Sequence, residues 1–232
     1  MIATYPDLQR PVADVTVVFG PDGAGKTHAV NMWADQGSTF VRLRGAEPWQ
    51  WFKDYPDELK LFGFSEDDIP FKWETLPTIA LVNKVALKLG NSGLSVVVDG
   101  HPAHKAAINL ASRTRAGECV AKDGLRLATI KRQVDHSALS PHFSELKPTA
   151  DLSVVHVEVN MSPGRSAAQG AKELQTRIGR RRTRWDSADT SESAAQILQS
   201  RKLAATLQRN GAAVLSVMTH PDSIERVQRL KS

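Results

Sequence analysis

The chain has 232 residues, of which 41% are hydrophobic and 24% charged, and its formal net charge is +5. This composition is typical of a soluble globular protein, and no apolar stretch approaches the length of a membrane span. Cys119 is the only cysteine, which excludes an internal disulfide and a metal cage built from cysteines. The length predicts one α/β domain over residues 1–232, and the N-terminus, which lacks an export signal, predicts a cytosolic protein.

Residues 14–31 have the pattern of a buried strand, a glycine-rich turn and the start of a helix. The turn reads Gly-x-x-x-x-Gly-Lys-Thr and ends at Thr27, which is the pattern of a phosphate-binding loop. Its glycines allow positive φ, so that backbone N–H groups and the helix N-terminus together form an anion site. We expect Lys26 to reach the outer phosphates of ATP and the Thr27 hydroxyl to bind Mg²⁺. The predicted nucleotide-binding residues are Gly20, Asp22, Gly23, Ala24, Gly25, Lys26, Thr27 and His28.

The alternative for this turn is a glycine-rich β-to-α connection that binds nothing.

Hydrophobic periodicity beyond the turn predicts further strands and helices. The predicted strands are residues 38–43, 94–99, 151–159 and 212–218, and the predicted helices are 76–89, 101–117, 163–182, 192–208 and 221–230. This alternation predicts an α/β fold with a parallel sheet of about five strands flanked by helices. Residues 46–77 either cover a pocket or pack on the flank of the domain, and residues 118–148 receive no assignment.

Asp99 ends a run of apolar residues that is expected to lie beside the loop strand. In a parallel sheet this carries its carboxylate to the C-terminal edge, where it can orient the Mg²⁺ shell or accept the proton of an attacking hydroxyl. The alternative is an aspartate that ends a strand in a turn with Gly100. His101 and His104 lie three residues apart and could bind a metal, although histidines that cap a helix or face solvent are commoner.

Four arginines follow helical spacing near the end of the predicted helix 163–182, and they are Arg177, Arg180, Arg181 and Arg184. Phosphoryl transfer requires positive charge around the moving phosphoryl group, which a lid over about residues 177–192 would supply. The predicted catalytic residues are therefore Lys26, Asp99, Arg181 and Arg184. Arg180 and Arg182 are expected nearer to the solvent or the acceptor. The alternatives are a solvated basic helix face and a contact to nucleic acid.

The phosphate-binding loop, the strand ending at Asp99, the strand opening at Asp151 and the arginine-rich segment resemble the thymidylate kinase family of nucleoside-monophosphate kinases. The resemblance implies a P-loop fold, ATP and Mg²⁺, and a pyrimidine (deoxy)nucleoside monophosphate acceptor such as dTMP or a modified relative. It also implies that Asp22 contacts the acceptor sugar. Where the family usually has an arginine directly after the aspartate, this sequence has Gly100 and then His101.

The sequence thus predicts an ATP- and Mg²⁺-dependent kinase that acts on a small nucleotide acceptor. The missing arginine and the net charge of +5 support an alternative acceptor, a hydroxymethylated pyrimidine within DNA. A second alternative is a nucleotide-binding ATPase switch that moves a partner protein. DNA and a second copy of the chain in a homodimer stay open as partners, and no membrane partner is expected.

Overall fold

The computed structural model describes residues 2–4, 9–44, 51, 54, 56–61, 76–105, 107–108, 152–161, 166–179 and 190–219. The strands are β1 (Ile2–Thr4), β2 (Val15–Phe19), β3 (Val41–Arg44), β4 (Val96–Asp99), β5 (Val154–Met161) and β6 (Ala213–Thr219). The helices are α1 (Lys26–Asp35), α2 (Pro56–Leu61), α3 (Leu76–Asn91), α4 (Pro102–Lys105), α5 (Ala167–Gly179) and α6 (Thr190–Arg209). None of these helices combines the length and the apolar character that a membrane crossing would require.

The strands form one sheet in the order β1-β6-β5-β2-β4-β3. Every neighbouring pair is parallel, so the predicted α/β fold with a parallel sheet flanked by helices is confirmed. The five predicted strands are all present, and β1 is a sixth that the sequence analysis missed. It is only three residues long, which is too short for a periodic hydrophobic signal.

The central strand β2 is buried along its whole length, as expected for a strand covered on both faces by helices. Val18 packs in one cluster with Val30 and Trp33 of α1, whereas Phe19 packs in another with Ile108, just beyond α4. Consecutive residues of a strand point to opposite faces. The helices that follow β2 and β4 therefore leave the sheet on opposite faces, and a crevice forms between them at its C-terminal edge.

Two elements start later than predicted, because the residues before them form hydrogen bonds that end or cap a helix. The predicted strand 38–43 begins at Val41, since Gly37 N donates to Ala34 O and Ser38 N to Trp33 O in closing α1. The predicted helix 163–182 begins at Ala167, because Ser166 and Gln169 form a reciprocal capping box with distances of 3.0–3.3 Å.

Of the predicted helix 101–117, the structure describes α4 and residues 107–108. The predicted helix 221–230 and residues 118–148 lie outside the described residues, as do most of residues 46–77.

Candidate functional site

The glycine-rich turn has the backbone conformation that its sequence predicts. Gly20, Gly23 and Gly25 all have positive φ, at 150°, 78° and 96°, and Gly25 is the N-cap residue of α1. A Cβ atom at position 20 would overlap the carbonyl oxygen of Val159, so the turn requires glycine there for space as well as for conformation. The turn and the first turn of α1 thus present backbone N–H groups at the C-terminal edge of the sheet.

Lys26 folds back over this turn. Its Nζ donates to Gly20 O and Pro21 O, each at 2.8 Å, and it lines the central cavity. Neutral carbonyls are weaker partners for an ammonium group than anionic phosphate oxygens are. A bound phosphate could therefore draw Lys26 Nζ away from these carbonyls without a change in the fold.

Thr27 and Asp99 meet at the edge of the cavity. Val18 of β2 is in register with Asp99 of β4, and the Thr27 Oγ1 hydroxyl donates to Asp99 Oδ2 at 3.2 Å. A hydroxyl and a carboxylate are hard oxygen donors, the type that Mg²⁺ takes from proteins when phosphate oxygens complete its coordination. The residues present therefore fit the metal that the sequence predicts at Thr27 and Asp99.

Arg42 is a residue of this site that the sequence analysis missed. Its Nη2 lies 2.5 Å from Asp99 Oδ2, and its Nη1 donates to Asn31 Oδ1 of α1 at 2.8 Å. The side chain of Asp99 is 7% exposed and that of Arg42 23%, so the ion pair is largely shielded from water. The available signal was the alternation of arginine with apolar residues in Val41–Arg44, which places Arg42 and Arg44 on one face of the strand.

A cavity of about 360 Å³ lies between these groups, within the usual range for small-molecule sites. Its lining residues are Phe19, Gly20, Asp22, Lys26, Thr27, Arg42, Arg44, Asp99, Gly100, His101, His104, Lys105 and Ile108. The cationic side chains come from the loop, β3 and α4, while Phe19 and Ile108 supply apolar surface. Such a cavity can hold an anionic ligand that also carries an apolar or aromatic group.

His101 and His104 are both fully buried, so neither faces solvent. His101 caps α4, because Ala103 N donates to its Nδ1 at 3.1 Å. Since Nδ1 accepts, the proton of the neutral ring lies on Nε2, which faces Asn83 Oδ1 at 2.5 Å. His104 Nε2 lies 3.2 Å from Nδ1 of His156 on β5, a histidine that the sequence analysis missed.

These three histidines are held neutral. Burial, with the charge of His156 as a smaller cause, lowers the pKa of His101 to about 3, and burial lowers the pKa of His156 to about 4. Burial also holds the pKa of His104 well below its usual range. The described residues contain no group of three or more His, Cys, Asp or Glu side chains that could hold a metal ion. His101 and His104 therefore form a neutral, polar part of the cavity wall, and His156 contacts His104.

Glu158 on β5 is a buried carboxylate that ties the sheet to α6. Its Oε1 accepts from Ser200 Oγ at 2.9 Å and from Asn160 Nδ2 at 3.2 Å, and its Oε2 accepts from Ser216 Oγ at 3.2 Å. Burial raises its pKa, although these hydrogen bonds oppose the shift. Because Glu158 does not line the cavity, it acts as a brace for the scaffold.

The glycine-rich turn is held on its other side by α5 and α6. A Cβ atom at Gly23 would lie 3.0 Å from Ile178 Cγ1 of α5. Asp22 N donates to Gln196 Oε1 of α6 at 2.9 Å, and Gln196 Nε2 donates to Asp22 Oδ2 at 3.1 Å. Asp22 therefore lies at the cavity wall with one carboxylate oxygen engaged by the scaffold.

Of the eight predicted nucleotide-binding residues, four line the cavity, and they are Gly20, Asp22, Lys26 and Thr27. Ala24 is buried behind the turn and packs in the core, and His28 is half-buried on α1. Of the arginines, Arg177 forms an ion pair at 3.0 Å with Glu173, one turn earlier in α5. Residues 180–189 lie outside the described residues, and with them Arg180, Arg181, Arg182 and Arg184.

Comparison with solved structures identifies the fold. The chain is similar to the deoxyadenosine kinase of M. mycoides with bound dATP, at a TM-score of 0.50 and 14% identity over 94% of this chain and 99% of that chain. The chain has a P-loop NTPase fold. The same kinase with bound dCTP aligns at a TM-score of 0.49 and 10% identity over 93% of this chain and 97% of that chain.

No family model and no curated protein matches the sequence. The resemblance to the thymidylate kinase family is not confirmed by these comparisons.

Proposed function

We propose that this protein is an ATP- and Mg²⁺-dependent kinase that phosphorylates a nucleotide acceptor held in the cavity. The observation that carries the proposal is the contact between Thr27 Oγ1 and Asp99 Oδ2 at 3.2 Å, beside Lys26 and a cavity of about 360 Å³. A hydroxyl, a carboxylate and an ammonium group at the end of a phosphate-binding loop are the groups that phosphoryl transfer uses.

On the donor side, backbone N–H groups at the start of α1 and the positive end of the α1 dipole hold the phosphates of ATP. Lys26 exchanges its loop carbonyls for the β- and γ-phosphates and neutralises the charge that develops during transfer. Thr27 and Asp99 would hold Mg²⁺, which would neutralise phosphate charge. Asp99 either orients the metal shell or accepts the proton of the attacking group.

Arg181 and Arg184 are proposed to reach the transferring phosphate. The helices on both sides of the connection that contains them contact the loop, because Ile178 of α5 packs against Gly23 and Gln196 of α6 bonds Asp22. Ten residues join the two helices, from position 180 to 189. A segment attached on both sides of the loop can place positive charge over the phosphates and exclude water.

The first-choice acceptor is a pyrimidine deoxynucleoside monophosphate such as dTMP or a modified relative. Asp22 lies at the cavity wall, where its carboxylate can accept from a sugar hydroxyl. The sequence has Gly100 where the resembled family usually has an arginine directly after the aspartate. Arg44 and Lys105 also line the cavity and can replace the charge of that arginine. These two side chains are suited to hold the acceptor phosphate.

The same two cations favour one second candidate, a hydroxymethylated pyrimidine within DNA. Arg44 is exposed at the end of the edge strand β3, where it could contact a polynucleotide backbone as well as a monophosphate. The hydroxymethyl group of a base turned out of the stack would then occupy the acceptor position.

Transfer of labelled phosphate from ATP tests the proposal and separates the acceptors. The acceptor arms are dTMP, a hydroxymethylpyrimidine deoxynucleotide, deoxynucleosides, and DNA that carries the same modified base, each at low and moderate salt. Labelling of a monophosphate supports the first choice, whereas labelling confined to deoxynucleosides would contradict it and leave kinase function standing. Labelling confined to DNA, with a steep loss at moderate salt, supports the second candidate. Release of free phosphate with no labelled acceptor in any arm would contradict kinase function and favour an ATPase switch.

A further inference from the structure

Arg42 and Thr27 converge on a single oxygen of Asp99. Arg42 Nη2 lies 2.5 Å from Asp99 Oδ2, and Thr27 Oγ1 donates to the same atom from 3.2 Å. The other terminal nitrogen of the guanidinium, Nη1, donates to Asn31 Oδ1 at 2.8 Å. The guanidinium of Arg42 therefore contacts the same carboxylate oxygen that we expect the metal ion to contact.

We propose that Arg42 is a positioning residue that competes with Mg²⁺ for the Asp99 carboxylate, so that Arg42 yields Asp99 when the metal binds. The inference rests on the metal role of Thr27 and Asp99 in the proposed function. A guanidinium at 2.5 Å stabilises the charge of Asp99 and keeps the carboxylate directed toward Thr27 before a nucleotide arrives. The same contact opposes a metal ion at Oδ2, because the guanidinium and the metal would then share one carboxylate oxygen.

Displacement of Arg42 has a second consequence at the cavity. Arg42 is part of the cavity lining, and its bond to Asn31 does not involve Asp99. Once Asp99 turns to the metal, Arg42 stays attached to α1 with a positive charge that faces the bound anion. Metal loading thereby adds a cation to the phosphate environment only after the metal site has formed, which discourages binding of metal-free nucleotide.

The test is Mn²⁺ binding to the nucleotide-free protein, followed by the electron paramagnetic resonance of free Mn²⁺ and by water proton relaxation. The portion of binding that Asp99→Asn removes defines the Asp99 site. Arg42→Gln should tighten this portion by about tenfold, the size of effect expected for the loss of a competing hydrogen bond to a charged group. Most mutations in a metal site weaken binding, so the expected direction is itself diagnostic.

Asn31→Ala is the second variant, at an exposed position of α1, and it decides the question if Arg42→Gln does not fold. Loss of the Asn31 anchor should loosen Arg42 and tighten Mn²⁺ binding by a smaller factor. Arg209→Gln is the matched control for net charge, since Arg209 ends α6 directly before the N-terminal edge of β6, at the opposite edge of the sheet from the loop. Its Mn²⁺ affinity should be unchanged.

The outcomes separate this inference from the proposed function. One outcome is that Asp99→Asn removes Mn²⁺ binding, while Arg42→Gln and Asn31→Ala leave the Mn²⁺ affinity unchanged or weaker. This outcome would overturn the competition and leave the kinase proposal standing. Absence of any Asp99-dependent binding in wild type and in both variants would remove the metal role of Asp99 and the inference with it. Binding that appears only in Arg42→Gln would support the competition.

Discussion

Gln196 and Asp22 are joined by hydrogen bonds of 2.9 and 3.1 Å across 174 residues of sequence. Gln196 is fully buried in α6, so it fixes the glycine-rich turn from the scaffold side. Gln196→Ala should lower the free energy of unfolding by about 2 kcal/mol, because the backbone N–H and the carboxylate of Asp22 lose these hydrogen bonds. It should also weaken ATP binding. Chemical denaturation and nucleotide titration measure the two effects, and Gln208→Ala, at an exposed position of the same helix, is the control. ATP affinity equal to that of wild type would show that the turn holds its shape without Gln196.

Lys26 is expected to dominate the donor site. Lys26→Ala should lower turnover by at least about 100-fold, since it removes a charge contact that strengthens in the transition state. The fold should remain intact, because the carbonyl oxygens of Gly20 and Pro21 that Lys26 Nζ contacts can accept from water instead. Steady-state kinetics with circular dichroism provide the measurement, and Lys202→Ala, an exposed lysine of α6, is the control. Near-normal turnover would contradict the assignment of the loop.

Asp99→Asn keeps the size of the side chain and removes its charge. We expect turnover to fall by about 100-fold or more and the Mg²⁺ concentration for half-maximal rate to rise. Rates measured over a range of Mg²⁺ concentrations give both quantities. Asp57→Asn, at an exposed position of α2, is the matched control. If the rate is unchanged at every Mg²⁺ concentration, Asp99 serves only to end β4.

The buried histidines predict that acid destabilises the fold. Burial lowers the pKa of His101 to about 3 and that of His156 to about 4, whereas in the unfolded chain each has a pKa of about 6.5. The unfolded state therefore binds more protons in this range, and stability that is complete above pH 6.5 is lost as the pH falls toward 4. Each histidine contributes up to about 1.4 kcal/mol per pH unit. Glu158 acts in the opposite sense, because burial raises its pKa.

Urea denaturation at pH 7.5, 6.0 and 5.0 measures this dependence. His156→Gln should reduce the slope of unfolding free energy against pH, since it removes one titrating group from the cluster. Equal stability at the three pH values would show that the histidines can be protonated within the folded protein.

Gly20→Ala should destabilise the protein by more than about 2 kcal/mol. The added Cβ would overlap the backbone carbonyl oxygen of Val159, and the residue has a φ of 150°. Gly37→Ala is the matched control, since Gly37 has a φ of 83° but no atom within 4 Å of the added Cβ. The control should lose only about 1 kcal/mol from backbone strain. Thermal or chemical denaturation of both variants measures the difference, and equal losses would contradict the steric account.

The sequence by itself determined the phosphate-binding turn and the parallel α/β fold. Gly20, Gly23 and Gly25 permit the positive φ angles of the turn, which is a local property of glycine, and the buried strand before the turn has no polar interruption apart from Thr16. Strands such as Val154–Met161 were predictable for the same reason, since strand and helix periods are properties of short segments. Asp99 was predictable because a strand end in a parallel sheet lies at the ligand edge.

Only the tertiary structure decided which distant side chains complete the site. Arg42 reaches Asp99 across 57 residues because β3 and β4 are neighbours, and His156 meets His104 across 52 because β5 and α4 converge beside β2. Gln196 reaches Asp22 only through the packing of α6 against the loop. No local period or spacing encodes such contacts, because they depend on strand order and helix placement, which many residues fix together.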